Sequence, residues 1–284
     1  MARGARAVSP QGIGTALRAA ERTLADAGVD QARLDAELLA AAAVERDRAW
    51  LHAHADEPLA PPAAERLRAL LERRAAREPV AYILGRKGFR HIELEVDRRV
   101  LIPRPETELL VELAVAAGPA SVLDVGSGSG AIALAVADEL PAARVVATDT
   151  SRAALEVAAG NAKRLGLTDR VRLERGSVPR GERFDLILSN PPYVPVGDWD
   201  TLAPEIRSYE PRDALLAGPD GLDAVRALTP PGVAALAAQG RLAFEIGSGQ
   251  AEETAAILGA AGLASIRTHQ DLAGIERVVE GRRG

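Results

Sequence analysis

A chain of 284 residues, 47% of them apolar, suits two ordinary domains, and with no cysteine it forms neither disulfides nor thiolate metal sites. Its net charge of -5 falls on residues 81–284, because residues 1–80 balance 12 Arg against 12 acidic residues; no run of five like charges occurs, which weighs against a dedicated nucleic-acid binder, although folding can gather a patch from scattered residues. The longest uncharged stretch, Ala227 to Gly240, is too short to cross a bilayer and Met1 to Pro10 has no signal-like apolar core, so the expectation is a soluble cytoplasmic protein with no membrane and no direct nucleic-acid partner.

Residues 10–77 read as helices. Ile13, Leu17, Ala20, Leu24 and Ala27 recur at helical spacing until Gly28 stops the run. A second helix from about Asp30 carries Leu34, Leu38 and Ala42 on its apolar face. A third starts near Pro61-Pro62, carries Leu67, Leu70 and Leu71, and ends before Pro79. From residue 80 the period changes. Ile92, Leu94 and Val96 alternate with charged residues, and Gly85 and Gly88 mark turns, which predicts a hairpin. Pro103-Arg104-Pro105 leads into a helix from about Thr107 to Ala117, with Glu106 and Glu108 at its positive end.

Beyond residue 120, strands and helices alternate. Strands are predicted at Ser121–Val125, Arg144–Thr148, Val171–Glu174, Phe184–Ser189 and Arg241–Ile246. Helices are predicted at Gly130–Glu139, Ser151–Leu165, Asp223–Ala238 (interrupted at Pro230-Pro231) and Gln250–Ala261. Ser265–His269 and Glu276–Glu280 close the sheet as an antiparallel pair. The alternation implies an α/β domain with a mostly parallel sheet.

Asp124-Val125-Gly126-Ser127-Gly128-Ser129-Gly130 joins the first strand of that domain to its helix. Glycines there let a ligand approach the backbone at a helix N-terminus. Asp149 ends the second strand, where a carboxylate can accept hydrogen bonds from both hydroxyls of a ribose. Gly126, Gly128 and Ala131 also fit the relaxed dinucleotide pattern, so loop and carboxylate do not separate NAD from S-adenosylmethionine. A bare tight turn is the bland alternative, and it leaves Asp149 unexplained.

Asn190-Pro191-Pro192-Tyr193 makes the separation. Two prolines donate no backbone hydrogen bond and stiffen the turn after the strand, leaving carbonyl acceptors beside the flat face of Tyr193. Hydride transfer has no use for that arrangement. Methyl transfer to a planar amide nitrogen does. If the Asn190 side chain and the Pro191 carbonyl each accept one N–H, the nitrogen lone pair is aimed at the methyl donor, and the charge developing on nitrogen is favoured. No strong general base is needed, because a methylated amide becomes very acidic before it loses its proton. A nucleotide-binding oxidoreductase or a nucleotide sensor is the rival of another class.

With both motifs placed, the chain closely resembles the protein-(glutamine-N5) methyltransferases that modify peptide chain release factors. The resemblance runs through Pro79–Gly85, Val100–Glu108, the glycine loop, Asn190–Tyr193, Tyr209–Leu215, Gly218–Leu222, Phe244–Gly247 and Asp271–Ile275. It implies a seven-stranded class I S-adenosylmethionine-dependent methyltransferase domain of Rossmann-like α/β fold, preceded by a small helical domain and a linking β-hairpin. The implied boundaries are 1–79 for helices that help hold the release factor, 80–105 for the hairpin, and 106–284 for the catalytic domain. The implied substrate is the glutamine of the Gly-Gly-Gln motif in class I release factors, met by a monomer. An amino-methyltransferase acting on DNA or RNA bases is the alternative, since Asn-Pro-Pro-Tyr also occurs there.

Carried over residue by residue, Gly126, Ser127, Gly128, Ser129, Gly130 and Asp149 bind S-adenosylmethionine, and Asn190 touches both cofactor and glutamine. Asn190, Pro191 and Tyr193 are the expected catalytic residues, and Pro192 completes the glutamine pocket. Many family members carry an acidic-aromatic pair near the adenine. Gly176-Ser177-Val178 stands there in this chain, leaving the Ser177 hydroxyl and the smaller Val178 side chain to meet the base.

Other residues have plainer readings. His52 and His54 do not share a helix face and predict no metal site. Arg104, Glu106 and Glu108 either line the site or start a helix with favourable charge. Glu245 reads as a structural strand end, and Trp50, Trp199 and Phe89 as packing residues.

Overall fold

Alanine is the commonest residue before Gly85, and the described part of that stretch, residues 12–85, is built of helices. The computed structural model describes residues 12–284, so the Met1–Pro10 reading and the first two residues of the predicted 10–77 helical span lie outside the described residues. The chain divides into two units: one runs up to Gly85 and includes Pro204–Tyr209, and the other comprises Arg86–Ala203 with Glu210–Gly284.

The helical unit contains α1 (Ile13–Asp26), α2 (Ala32–Val44), α3 (Arg48–Ala53), α4 (Pro61–Ala75) and α5 (Val80–Leu84). Gly28, at φ 74°, follows the end of α1 and stops that helix as expected. Leu24, Leu39 and Leu51 are fully buried at its centre, with Leu67 and Ile83 beside them. The predicted face of α2 is rotated: Leu34, Leu38 and Ala42 are half-buried, whereas Ala36, Leu39, Ala40 and Ala43 form the buried side. This helix is surrounded by α1, α3, α4 and α5 and is apolar nearly all round, so periodicity alone misjudges its inner face. Two of its acids are buried and paired. Asp35 accepts from Arg74 Nε at 2.7 Å, and Glu37 is held by Arg33, Arg48 and His52.

Sequence pattern missed α3, α5 and the short helix Pro204–Tyr209. That last helix is clasped within the helical unit, where Glu205 accepts from Arg74 at 2.9 Å and from Arg77 at 2.8 Å. Trp50 packs on the helical core and stacks on His54, whose Nδ1 lies 2.8 Å from the Trp50 carbonyl oxygen.

The second unit opens with a hairpin of β1 (Arg86–Phe89) and β2 (Ile92–Glu95). Its turn falls at Arg90, which has φ 52°; Gly88 lies within the strand, and Gly85 caps α5. Next come α6 (Glu108–Ala117), β3 (Ser121–Val125), α7 (Ala131–Glu139), β4 (Arg144–Asp149), α8 (Arg152–Arg164), β5 (Val171–Arg175) and β6 (Phe184–Ser189). The chain continues through α9, the Pro204–Tyr209 helix, then α10 (Asp223–Ala235), β7 (Leu236–Glu245), α11 (Ala251–Ala260), β8 (Leu263–Gln270) and β9 (Glu276–Arg283). Helix α10 is not interrupted at Pro230-Pro231. Both prolines sit on its exposed face, where water can serve the carbonyls left without amide donors. Strand β7 starts at Leu236, earlier than predicted, and its pairing with β6 slips between Phe184 and Leu186, leaving residues 237–240 as a bulge between the paired Leu236 and Arg241.

Seven strands lie in the order β5-β4-β3-β6-β7-β9-β8, parallel except where β9 pairs antiparallel with both neighbours. The strand order reverses between β3 and β6. In an open α/β sheet the crevice at such a switch point, beyond the carboxyl ends of the strands, is where a ligand binds.

Candidate active site

Strand register gathers the motif residues along one edge. Val125 lies opposite Thr148, so Gly126 follows beside Asp149. Asp124 lies opposite Leu188, which carries Gly126 and Asn190 out side by side. Asp149 pairs with Arg175, bringing Gly176-Ser177 next to it, and Ser189 pairs with Phe244, bringing Glu245 beside Asn190. A bond from Ser189 Oγ to the Val125 carbonyl, at 2.6 Å, ties the two central strand ends together.

The glycine loop is held almost wholly by its own neighbours. Gly126 N and Ser127 N both donate to the Thr148 carbonyl, at 2.8 and 2.9 Å, and Gly128 N donates to Asp149 Oδ2 at 2.9 Å. Gly126 and Gly128 have φ of 79° and 58°, and a Cβ at either would meet no atom within 4 Å, so both backbones are open to a ligand. Gly130 is needed for packing instead: a Cβ there would lie 2.8 Å from Leu134 Cδ1. Ser127 and Ser129 turn inward. Ser127 Oγ donates to Asp124 at 2.7 Å, and the Ser129 carbonyl accepts from the buried Asn161 at 2.9 Å. Asn161 also exchanges hydrogen bonds with the Glu95 backbone, joining the loop to the hairpin.

Asp149 accepts from Gly128 N and from Ser151 N, the latter at 2.8 Å, and a carboxylate retains lone pairs beyond those two. Asp124 is fully buried, and its Oδ1 has no partner. Burial pushes its carboxyl up to about 7, against the hydrogen bonds from Ser127 and Ala133. Ser177 is exposed, while Val178 leans on the core cluster of Phe184, Ile187 and Phe244.

The Asn-Pro-Pro-Tyr segment is held from further away. Asn190 Nδ2 donates to Thr107 Oγ1 at 3.0 Å. The Tyr193 carbonyl accepts from Gln250 Nε2 at 3.0 Å, and Gln250 Oε1 accepts from Gly247 N at 2.8 Å. Val194 exchanges backbone bonds with Leu215 and Ala217. Burial pushes the Tyr193 hydroxyl up to about 12, with Glu245 adding to the rise. Pro191 is buried, and Pro192 and Tyr193 are half-buried.

Glu245 is 2% exposed, with Oε2 unpartnered; burial pushes its carboxyl up to about 7. Arg104 is bound to Glu210 at 2.5 Å, and Glu210 also accepts from Ile102 N. Glu108 accepts from Arg90 N at the hairpin turn, away from Asn190. Phe89 is buried, and Trp199 lies under the Arg212 guanidinium. Sequence reading missed Thr107, Asn161 and Gln250; Thr107 lay inside the Arg-Pro-Glu-Thr-Glu segment but carried no chemical signal of its own.

A glycine loop, an acid on the next strand and Asn-Pro-Pro-Tyr across the switch point of this seven-stranded sheet define a class I S-adenosylmethionine-dependent methyltransferase. Solved structures agree on the fold. The catalytic domain of hMettl16 in complex with a MAT2A 3'UTR hairpin superposes with a TM-score of 0.56 at 15% identity, covering 75% of this chain and 81% of that one. A methyltransferase from Pyrococcus furiosus gives 0.51 at 19%, covering 67% and 88%. Residues 15–85 match the PrmC N-terminal domain and residues 105–203 the methyltransferase small domain. A release factor glutamine methyltransferase of Cereibacter sphaeroides is 48% identical over 94% of this chain and 97% of its own, and one of Geobacter sulfurreducens is 47% identical over 92% and 93%. The chain belongs to the release factor glutamine methyltransferase family.

Proposed function

We propose that this chain transfers a methyl group from S-adenosyl-L-methionine to the side-chain amide nitrogen, N5, of the glutamine in the Gly-Gly-Gln motif of class I peptide chain release factors. The observation that carries this reading is the register that sets Gly126 and Asp149 beside Asn190 on one sheet edge, in a chain of this family.

When bound, S-adenosylmethionine supplies a methyl group made electrophilic by a sulfonium. The residues present fit it. The open backbones of Gly126 and Gly128 admit close approach, and Asp149 has lone pairs left for ribose hydroxyls. Ser127 and Ser129 serve through their backbone, since the Ser127 hydroxyl is spent on Asp124 and Ser129 is buried. Ser177 and Val178 meet the adenine.

Asn190 Oδ1 and the Pro191 carbonyl accept the two amide hydrogens of the glutamine, Pro192 stiffens the turn, and Tyr193 covers the amide plane. The two acceptors orient the nitrogen lone pair and favour the charge that grows on it. The methylated amide then releases its proton to water. Tyr193 stays a neutral hydroxyl throughout, because its ionisation is pushed up to about 12. The helical unit helps hold the release factor, the protein acts as a monomer, and it works in the cytoplasm.

The test is labelled S-adenosylmethionine with a release factor and with its Gln→Ala loop variant. Label is expected on the unaltered release factor alone; label on RNA, or equally on the variant, refutes the reading. Thermal stabilisation by NAD in place of S-adenosylhomocysteine refutes the cofactor.

A further inference from the structure

Gln250 is half-buried just ahead of α11. As the N-cap residue of that helix it makes no side-chain capping bond. Its amide reaches instead for the backbone of three loops. Nε2 donates to the Tyr193 carbonyl after β6 at 3.0 Å and to the Asp220 carbonyl ahead of α10 at 3.2 Å. Oε1 accepts from Gly247 N after β7 at 2.8 Å. Carbonyls only accept and a backbone N–H only donates, so the amide fits in one sense alone. Turned over, it would set oxygen against two carbonyl oxygens and NH2 against an N–H. Two glycines make room for it. A Cβ on Gly221 would lie 2.2 Å from the Tyr193 carbonyl oxygen and 2.5 Å from Gln250 Nε2. A Cβ on Gly247 would lie 3.0 Å from Gln250 Oε1 and 3.3 Å from Tyr193 Cδ2, so this glycine also backs the tyrosine ring. Gln250 thus grips the Tyr193 main chain on one side and the residue behind its ring on the other.

We propose that Gln250 is a positioning residue for the methyl transfer assigned above, on which this inference rests. Its three bonds set the Tyr193 ring over the substrate amide and leave the cofactor end alone. The cofactor end is held by other bonds: the glycine loop and Asp149 share none with Gln250. The role requires two donors and one acceptor at the end of a side chain of this length. Methionine matches the length and offers no donor. Glutamate matches the shape, but when ionised it turns oxygens towards the Tyr193 and Asp220 carbonyls and donates to neither. Glutamine alone among the side chains of this size satisfies all three partners.

The experiment measures methyl transfer to a full-length release factor for wild type, Q250M, Q250E, Y193A and Y193A combined with Q250M. Calorimetry with S-adenosylhomocysteine gives cofactor affinity and counts the active sites. In Q250M, kcat per cofactor-binding site should fall roughly tenfold, with S-adenosylhomocysteine affinity kept within about twofold. Q250E, ionised at about pH 8.5, should fall at least as far, because its charge faces two carbonyls. Adding Q250M to Y193A should cost less than about twofold more, since the ring through which Gln250 acts is gone. No label on the release factor with the wild type overturns the functional reading and this inference with it. If the wild type is active, three results overturn the inference alone: full activity in Q250M, cofactor affinity falling in step with kcat, or the whole Q250M loss appearing again in Y193A. Should Q250M fail to fold, Q250E decides, and full activity there overturns the role.

Discussion

The two ends of the site are built in different ways. The glycine loop is held from within β3, β4 and the start of α7, where the backbone amides of Gly126, Ser127, Gly128 and Gly130 bond to Thr148, Asp149 and Ser127. Asn190–Val194 is held by Thr107 before α6, by Leu215 and Ala217 after α9, and by Gln250 at the start of α11. The proposed cofactor end is thus a local motif, whereas the proposed acceptor end is a composite drawn from segments far apart in the chain.

Gly221→Ala tests that contrast most severely. Gly221 has φ 78°, and a Cβ there would overlap the Tyr193 carbonyl oxygen and the Gln250 amide. The Tyr193 main chain must shift, and a misplacement of about 1 Å can cost on the order of a hundredfold in rate. Methyl transfer should fall by roughly that factor, with destabilisation of about 1–3 kcal/mol. S-adenosylhomocysteine affinity, measured by calorimetry, should change by less than about threefold. A parallel loss of cofactor binding would show that the two ends are one unit after all.

The local end has its own signature in pH. Asp124 titrates near 7 when folded, against 3.8 as its ordinary value, because it is buried. Between those values the folded state binds the extra proton, so the contribution of Asp124 to stability is greatest below about pH 4 and declines as pH rises through about 7. The decline is on the order of a few kcal/mol. Asp124→Asn should flatten that part of a plot of denaturation midpoint against pH; an unchanged slope would place its origin elsewhere. Asp149→Asn has a smaller effect, on affinity. The amide keeps one acceptor, so S-adenosylhomocysteine should bind about tenfold more weakly, about 1.4 kcal/mol, with kcat at saturation little changed.

The same contrast explains what could be read in advance. The alternation beyond residue 120 and the glycine loop were legible because each rests on neighbouring residues: Ser121–Val125 and Phe184–Ser189 are strands with the predicted bounds. Asn190–Tyr193 stood out because paired prolines restrict the backbone visibly. Its supports did not. Thr107, Gly221 and Gln250 are ordinary residues whose use depends on the fold: Thr107 and Gln250 lie more than fifty residues from Asn190 and Tyr193, and Gly221 packs on Tyr193 from beyond α9. Helix α2 was misread for a related reason. An alanine-rich helix packed on several sides has no single apolar stripe, and only its neighbours decide which alanines are buried.

The smallest expected effect lies at Gly176-Ser177-Val178, where many family members carry an acidic-aromatic pair. Ser177 is exposed, so any bond it offers the adenine competes with water and is worth about 0.5 kcal/mol net. Ser177→Ala should therefore weaken S-adenosylhomocysteine binding by about twofold or less. Val178 is different, because its side chain also rests on the sheet core. Val178→Ala should lower the melting temperature as well as the affinity, and the cofactor should restore only part of that loss. If Ser177→Ala instead costs tenfold, the adenine is held by a buried hydroxyl contact formed on binding. The cofactor end would then depend on a rearrangement that its preformed loop does not need.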